Sequence, residues 1–267
     1  MAKQQKDEDK KTSLTTETES SMMVVTDQVP EYIEPGANRG SEDVGQEDLV
    51  IPRLEVIQAL SPAVKDGDPG YIPEARPGML MNSVSKQLYG KEVMVVPVVF
   101  MKQWLVWRQR KDKDNKPIEG GFFGSFNHPE EAKRRAEEEG GEANYIEIIE
   151  TPQHFCLLLN FASNKVEEIM VSMPRTKAKI SRQWNSMVRM AGGDRFSRVY
   201  RVTSSLEKKP QGDYYNFAIA QSGFPNKMVY DKAMELYKVV SAGRAVTMDV
   251  TDFGRDDEHG STSESEM

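Results

Sequence analysis

The amino-acid sequence predicts an α+β fold in which β-strands predominate. Runs rich in Val, Ile, Phe and Tyr recur through residues 79–220 at lengths typical of strands. Only three segments carry helix signals instead, either apolar residues every three or four positions or a proline start with a glycine stop. The 267 residues suffice for one large domain or two small ones, and without a run of 18 apolar residues no transmembrane helix is expected.

The strand predictions begin with a short segment, Met79–Val84, and a long one, Val93–Arg108. Pro97 interrupts the long strand, and a proline within a strand indicates a sheet edge or a bulge. A polar insertion of about residues 109–143 follows, in which Gly120–Phe126 is predicted to form a glycine-rich loop. The remaining strands are predicted at Tyr145–Glu150, His154–Phe161, Val166–Met173, Arg198–Leu206 and Tyr214–Ala220.

The three helices are predicted at Pro129–Glu139, Pro174–Met190 and Asn226–Ser241. The first begins with a proline and is followed by two glycines, a typical start and stop. The second has apolar residues at helical spacing. Its expected buried stripe consists of Ile180, Trp184, Met187 and Ala191.

Several strands, a helix, two further strands and a terminal helix therefore follow one another along the chain. A small antiparallel Greek-key barrel of the oligonucleotide-binding type places its helix between the third and fourth strands, and this order fits it. A generic α+β sheet fits nearly as well. We predict an oligonucleotide-binding-like barrel with an inserted helix and a C-terminal helix.

The composition divides the chain into three parts. Residues 1–48 are rich in Ser, Thr, Glu, Asp and Gln with one aromatic residue, which predicts a disordered acidic arm. Residues 251–267 have the same character and predict a disordered acidic tail. Residues 49–250 are the expected folded domain.

The net charge of −7 is unevenly distributed over these parts. Residues 1–50 carry 5 basic and 12 acidic side chains, and residues 251–267 carry one basic and six acidic. Residues 51–250 carry 29 basic and 24 acidic side chains. Within them, residues 171–210 hold ten Lys and Arg against two acidic residues. The pattern predicts a basic domain between two acidic arms.

The sequence contains no phosphate-binding glycine loop, no nucleophile elbow and no zinc-protease motif. His154 and Cys156 share a strand face, but the apolar residues around them favour a buried core over a nucleophile pair. Glu147 and Glu150 lack the neighbours of a nuclease metal site, which favours a solvated strand face. One cysteine and three histidines exclude a disulfide framework and a zinc finger and fit a reducing, cytoplasmic setting. We expect neither an enzyme nor a bound cofactor or metal.

The second helix indicates nucleic-acid binding. Arg175, Lys179, Arg182 and Arg189 recur at helical spacing opposite the apolar stripe, and no acidic residue lies between the first and the last. A helix face that carries basic residues without acidic ones is typical of phosphate binding, although an ordinary solvated face is the alternative.

Aromatic residues accompany the other cation clusters, near the end of the long strand and after the second helix. Flat rings beside cations are the combination that non-specific single-strand binding requires, although any one ring could instead belong to the core. Phe122, Phe123 and Phe126 either contact a ligand or form a satellite cluster. The predicted nucleic-acid-binding residues are Trp104, Trp107, Arg108, Arg110, Lys111, Phe123, Arg175, Lys177, Lys179, Arg182, Arg189, Arg195, Arg198, Tyr200, Arg201 and Tyr214.

Short motifs between residues 49 and 245 resemble the single-stranded DNA-binding proteins of tailed bacteriophages. They are Ile51-Pro52-Arg53-Leu54, Gln58–Pro62, Asn82-Ser83, Tyr89-Gly90, Val96-Pro97, Trp107-Arg108, Arg198–Arg201 and Tyr215–Phe217. The resemblance implies an oligonucleotide-binding barrel that coats single strands during replication, recombination and repair in the bacterial host cytoplasm.

The same resemblance implies an acidic C-terminal tail that recruits replication or recombination proteins and competes with DNA. The tail of this chain ends in Ser-Glu-Met rather than in an aromatic residue. Its candidate partner-binding residues are Asp252, Phe253, Asp256, Asp257, Glu258, Glu264 and Glu266.

The predicted function is therefore sequence-independent binding of single-stranded DNA, without a membrane partner and with homo-oligomerisation left open. One alternative is a strand-annealing or recombination-mediator protein, which would share the DNA surface. Another is a virion or scaffold protein whose basic surface binds acidic proteins. Stacking rings beside the cations favour DNA over a protein partner.

Overall fold

β-Strands predominate in the structure, as the sequence predicts. The computed structural model describes residues 50–114, 116–210 and 212–241, and the backbone of residues 247 and 248; both predicted acidic arms lie outside these residues. The elements are β1 (Val50–Ile51), β2 (Leu54–Val56), β3 (Leu80–Asn82), β4 (Leu88–Gly90), β5 (Glu92–Arg108), β6 (Gly121–Phe126), α1 (Pro129–Glu138), β7 (Ile146–Asn160), β8 (Lys165–Ser172), α2 (Ala178–Ala191), β9 (Val199–Glu207), β10 (Tyr214–Gly223), α3 (Lys227–Ser241) and β11 (Thr247–Met248).

The main sheet is antiparallel and has the strand order β10–β9–β5–β7–β8, with β6 also paired to β5. The long β5 pairs with β7 along one edge, and its other edge pairs first with β9 and then with β6. The register shifts between Pro97 and Val99. Because β5 is central, the proline is accommodated by a bulge, one of the two predicted possibilities. A separate small sheet joins β2, β3 and β4, and β1 pairs in parallel with β11.

The predicted oligonucleotide-binding-like barrel is not confirmed, because no sheet among the described residues closes on itself. The edge strands β8 and β10 do not pair with each other. The segment around β2 contacts both of them instead. Met170 of β8 donates its N–H to the carbonyl of Pro52 at 2.9 Å. The side-chain amide of Gln58 bonds the N–H and the carbonyl of Tyr215 in β10, at 2.8 and 2.9 Å.

Each helix packs on the sheet through its own hydrophobic cluster. α2 buries Trp184 completely in the main core, where its indole contacts Tyr200 edge-on at a centroid distance of 5.8 Å. α3 packs a buried stripe against strand residues that include Val96. α1 buries Ala132 against Val106 near the end of β5. The opposite faces of the helices are exposed to solvent. In α2 this exposed face carries the cations.

Three element predictions differ from the structure. Gly120–Phe126 was predicted to be a loop, but Gly121–Phe126 pairs with β5 as β6. The two strands predicted on either side of Pro152 are one strand, β7. Pro152 lies just before the part of β7 that pairs with β8, so its missing N–H removes no hydrogen bond from that pairing. The helix predicted from Pro174 begins at Ala178, after a 3₁₀ turn of Arg175–Lys177.

None of the described helices combines the length and the apolar character needed to cross a membrane.

Candidate nucleic-acid interface

The solvent-facing side of α2 carries three cations. The helix packs on the sheet because Trp184 is buried and Ile180 packs beside it. Lys179, Arg182 and Arg189 are exposed, as the sequence predicts. No carboxylate among the described residues forms an ion pair with any of the three. Their charges are therefore solvated rather than compensated, which leaves the face with a positive potential.

Arg175 and Lys177 lie before α2, in the 3₁₀ turn, so Arg175 does not extend the cationic face of the helix as predicted. The backbone of Arg175 is left-handed, with φ of 50°, which breaks the helical spacing expected from the sequence. Its guanidinium donates to Glu147 Oε1 at 2.5 Å. The charge of Arg175 is therefore already compensated. Lys177 places its ammonium 5.8 Å from the ring centre of Phe217.

An aromatic pair lies beside this turn. Trp107 of β5 packs on Leu105, and its ring centre is 4.8 Å from that of Phe122 in β6, which is 37% exposed. Trp107 is also the cross-strand neighbour of Glu147, the partner of Arg175. The structure thus brings the end of β5 and the start of α2 together, although 60 or more residues separate them in sequence.

Trp104 lies three residues before Trp107, on the other face of β5, and its ring is packed against the protein. It packs with Phe123 and Phe126 in the cluster beneath α1. Two guanidinium groups lie near the ring centre of Phe123, that of Arg108 at 5.2 Å and that of Arg135 at 5.9 Å. Phe123 and Phe126 therefore form the satellite cluster that was one of two predicted possibilities. The sequence did not single out Arg135, because its partner ring is distant in the chain.

The other predicted residues are spread over the surface. Arg110 and Lys111 follow β5 and are exposed, and Arg201 is exposed on β9. The half-buried Tyr214 donates its hydroxyl to Glu207 Oε2 at 2.5 Å, and the Lys209 ammonium lies 5.0 Å from its ring centre. Burial, and next the bond to Glu207, raises the pKa of Tyr214, so its ring is uncharged at neutral pH.

Tyr200 was predicted to contact nucleic acid, and this is wrong. The alternation of β9 places Arg201 and Tyr200 on opposite faces, as expected. The face of Tyr200 is the interior one, where the side chain is completely buried next to Trp184. An aromatic residue beside an arginine does not reveal by itself which side of a strand is covered.

Arg195 points into the protein and is not an exposed phosphate contact as predicted. Its Nη2 donates to His154 Nδ1 at 2.7 Å and to Asn185 Oδ1 at 2.9 Å. Because arginine only donates, His154 is neutral with its proton on Nε2, which donates to Ser181 Oγ at 2.8 Å. Burial, and next the charge of Arg195, holds the pKa of His154 well below its ordinary value. The indole of Trp184 stacks on this imidazole, with 4.3 Å between the two ring centres.

Cys156 belongs to the same core, which confirms the prediction that it and His154 are buried. Its thiol is inaccessible and donates to the carbonyl of His154 at 3.4 Å. Burial raises the pKa of Cys156 to about 12. The exposed Glu150 pairs with Lys102 at 2.6 Å. The described residues contain no cluster of three or more metal-ligating side chains.

Arg198 is directed to a surface that the sequence analysis did not identify. Its guanidinium lies 4.0 Å from the ring centre of Phe224, in the segment between β10 and α3. Phe224 and Phe161, in the turn between β7 and β8, are both strongly exposed. The only sequence signal for either was an aromatic residue among turn-forming residues, next to Pro225 in one case and to Asn160 in the other.

These observations define a protein with a basic, partly aromatic surface on a mainly antiparallel α+β fold. The family model for the Pam3 phage gp34-like protein matches residues 13–246. The chain belongs to this family, which is named after a phage protein. No curated protein and no solved structure matches the chain. The candidate tail residues, Asp252 to Glu266, lie outside the described residues.

Proposed function

We propose that residues 49–250 bind single-stranded DNA without sequence preference and protect it during phage DNA replication, recombination and repair. One observation carries the proposal. Lys179, Arg182 and Arg189 share the exposed side of α2 with no described carboxylate paired to them. The aromatic pair of Trp107 and Phe122 lies near the beginning of the same helix.

The two kinds of residue have complementary roles. The cations contact backbone phosphates and displace condensed counterions, which gives affinity without reading sequence. Exposed rings stack on bases, at about 1–3 kcal/mol per base, and every base offers a flat face. A duplex hides those faces in its own stack, so this combination favours single strands.

The strand order supports the proposal. A partly open oligonucleotide-binding barrel has five strands, with a helix between the third and the fourth. Apart from β6, the strands of the main sheet have the same order along the chain, namely β5, β7, β8, β9 and β10, with α2 between β8 and β9. In such barrels the first and last loops take part in binding. Here the first of these connections carries Phe122 and the exposed Arg110, and the last carries Lys209 beside Tyr214.

The acidic tail completes the proposal. Residues 251–267 carry a net charge of −5, and residues 171–210 carry +8. A tethered segment has an effective concentration of up to about millimolar, so even a weak contact competes with DNA. We therefore assign the tail a second role beside recruiting replication or recombination proteins, namely competition for the cations of the domain.

The test is a triple variant of the α2 face, K179Q/R182Q/R189Q. Each lost phosphate contact lowers the slope of log K against log salt by about 0.7 on single strands, so the triple variant should lose about 2 from the slope and bind more weakly. The matched control, K65Q/K91Q/K238Q, removes the same charge from exposed positions elsewhere and should retain most of the affinity. Equal losses in both variants would show a non-specific charge effect and contradict the assigned surface.

A further inference from the structure

A groove of about 430 Å³ lies between the β7–β8 turn and the segment that joins β10 to α3. Phe161 forms part of it and is 76% exposed, and Phe224 forms part of it and is 72% exposed. Met228 in α3 adds a third exposed apolar side chain. Scattered exposed apolar residues are ordinary, but two strongly exposed rings that line one groove are typical of a binding surface.

One cation lines the groove, and a second lies over one of its rings. Lys165 lines it, and no Asp or Glu is among its lining residues. Arg198 covers part of Phe224 at 4.0 Å, a distance typical of a cation–π contact. The guanidinium is anchored by the backbone carbonyls of Ser197 and Ala191, at 3.1 and 3.5 Å, rather than by a carboxylate. Its positive charge therefore remains available to a ligand.

The groove also adjoins the cationic face of α2. Ala191 is the last residue of that helix, and its carbonyl holds Arg198. Arg189 lies in the same last turn. Arg198 therefore connects the end of α2, where Arg189 lies, to the ring of Phe224.

A ligand for this groove must have flat, apolar faces and a negatively charged group close to them. Unstacked bases with their phosphates meet all three requirements, because rings and arginine stack on base faces while cations follow the backbone. The volume also lies within the range of about 300–1,000 Å³ that is usual for ligand sites. An apolar protein segment would satisfy the rings but would gain nothing from the charges of Lys165 and Arg198.

We propose that this groove is a second base-binding subsite, in which Phe161 and Phe224 stack on unpaired bases of a strand that continues along α2. The inference rests on the proposed function, because it assigns a further contact to the same ligand. It extends the DNA path to the opposite end of α2 from Trp107 and Phe122.

The test replaces both rings by leucine, F161L/F224L, in the full-length chain. Leucine retains an apolar side chain of similar size but cannot stack as a flat ring. Affinity for a fluorescent oligothymidylate should fall at least about fivefold, the equivalent of one lost stacking contact. The matched control, Y71L/Y237L, removes two exposed rings from other surfaces and should bind as the wild type does.

A second measurement uses F224W, whose indole should be quenched when the oligonucleotide binds, after subtraction of the wild-type signal. If F161L/F224L binds like the wild type while the triple variant of α2 is weakened, the subsite is wrong and the proposed function stands. If the wild type itself binds no single strand, the proposed function fails first. Loss of self-association by F161L/F224L at unchanged DNA affinity would show a protein interface instead and overturn the subsite.

Discussion

Acidification should destabilise the fold through His154. The imidazole is buried and neutral, with Nδ1 accepting from Arg195 and Nε2 donating to Ser181. Protonating Nδ1 would break the bond to Arg195 and place two cations next to each other in the core. The folded-state pKa therefore lies well below 6.5, the ordinary value that the unfolded chain retains.

The sign and size of the effect follow from this difference. Above pH 6.5 both states are neutral, and His154 adds no pH dependence. Below pH 6.5 the unfolded state binds a proton that the folded state excludes, so the free energy of unfolding falls by about 1.4 kcal/mol per pH unit. Between pH 7.5 and pH 5.0 the accumulated loss is about 2 kcal/mol.

Urea unfolding at several pH values measures this loss. In H154Q the side-chain amide can accept from Arg195 and donate to Ser181 but cannot titrate. The difference in unfolding free energy between the wild type and H154Q should therefore shrink by about 2 kcal/mol from pH 7.5 to pH 5.0. The control H128Q makes the same replacement at an exposed histidine. Parallel pH profiles for the wild type and H154Q would refute the argument.

Three further predictions concern the core, the α2 turn and the tail. Trp184→Ala should lower the free energy of unfolding by about 3–5 kcal/mol in urea titrations because the indole is fully buried; a loss below 1 kcal/mol would contradict the assigned core. Replacing both partners of the ion pair, E147Q/R175Q, keeps the net charge and should change single-strand affinity less than about twofold, whereas Lys179→Gln should weaken binding several-fold; equal effects would show that the ion pair opens on DNA. Deleting residues 252–267 should raise the affinity, most strongly at low salt, and superimposable isotherms at two salt concentrations would exclude competition by the tail.

The sequence predicts the elements of this fold well where the pattern is local. The long β5 and the helices α1 and α3 lie within a few residues of their predicted bounds, because β-branched runs and proline or glycine signals define them. β6 was missed because Gly120-Gly-Phe-Phe-Gly has the composition of a loop. It becomes a strand because the end of the preceding strand, β5, offers an unpaired edge.

Closure of the barrel could not be predicted from the strand order. It depends on whether β8 meets β10, and the segment around β2 instead contacts both strands. The motif around Arg53 and Gln58 carried part of the family resemblance, but its role between two sheet edges depends on contacts more than 100 residues away.

The candidate site was predicted in part. The exposed cations of α2 follow from helical periodicity, which assigns them to the side opposite Trp184. Tyr200 was assigned to the surface because alternation tells which residues share a face but not which face is covered. Arg195 lies before β9, and its inward direction depends on His154, 41 residues away in the chain. Phe161 and Phe224 were missed because their exposure depends on how the β7–β8 turn and the start of α3 meet.

Binding of single strands by the wild-type chain, measured over a range of salt concentrations, tests the central claim most directly. Fluorescence anisotropy with an oligothymidylate and with a duplex of equal length provides both isotherms. The account predicts tighter binding of the single strand and a linear fall of log K with log salt, at about 0.7 per phosphate contact. Equal affinity for the duplex, or binding that does not respond to salt, would contradict it.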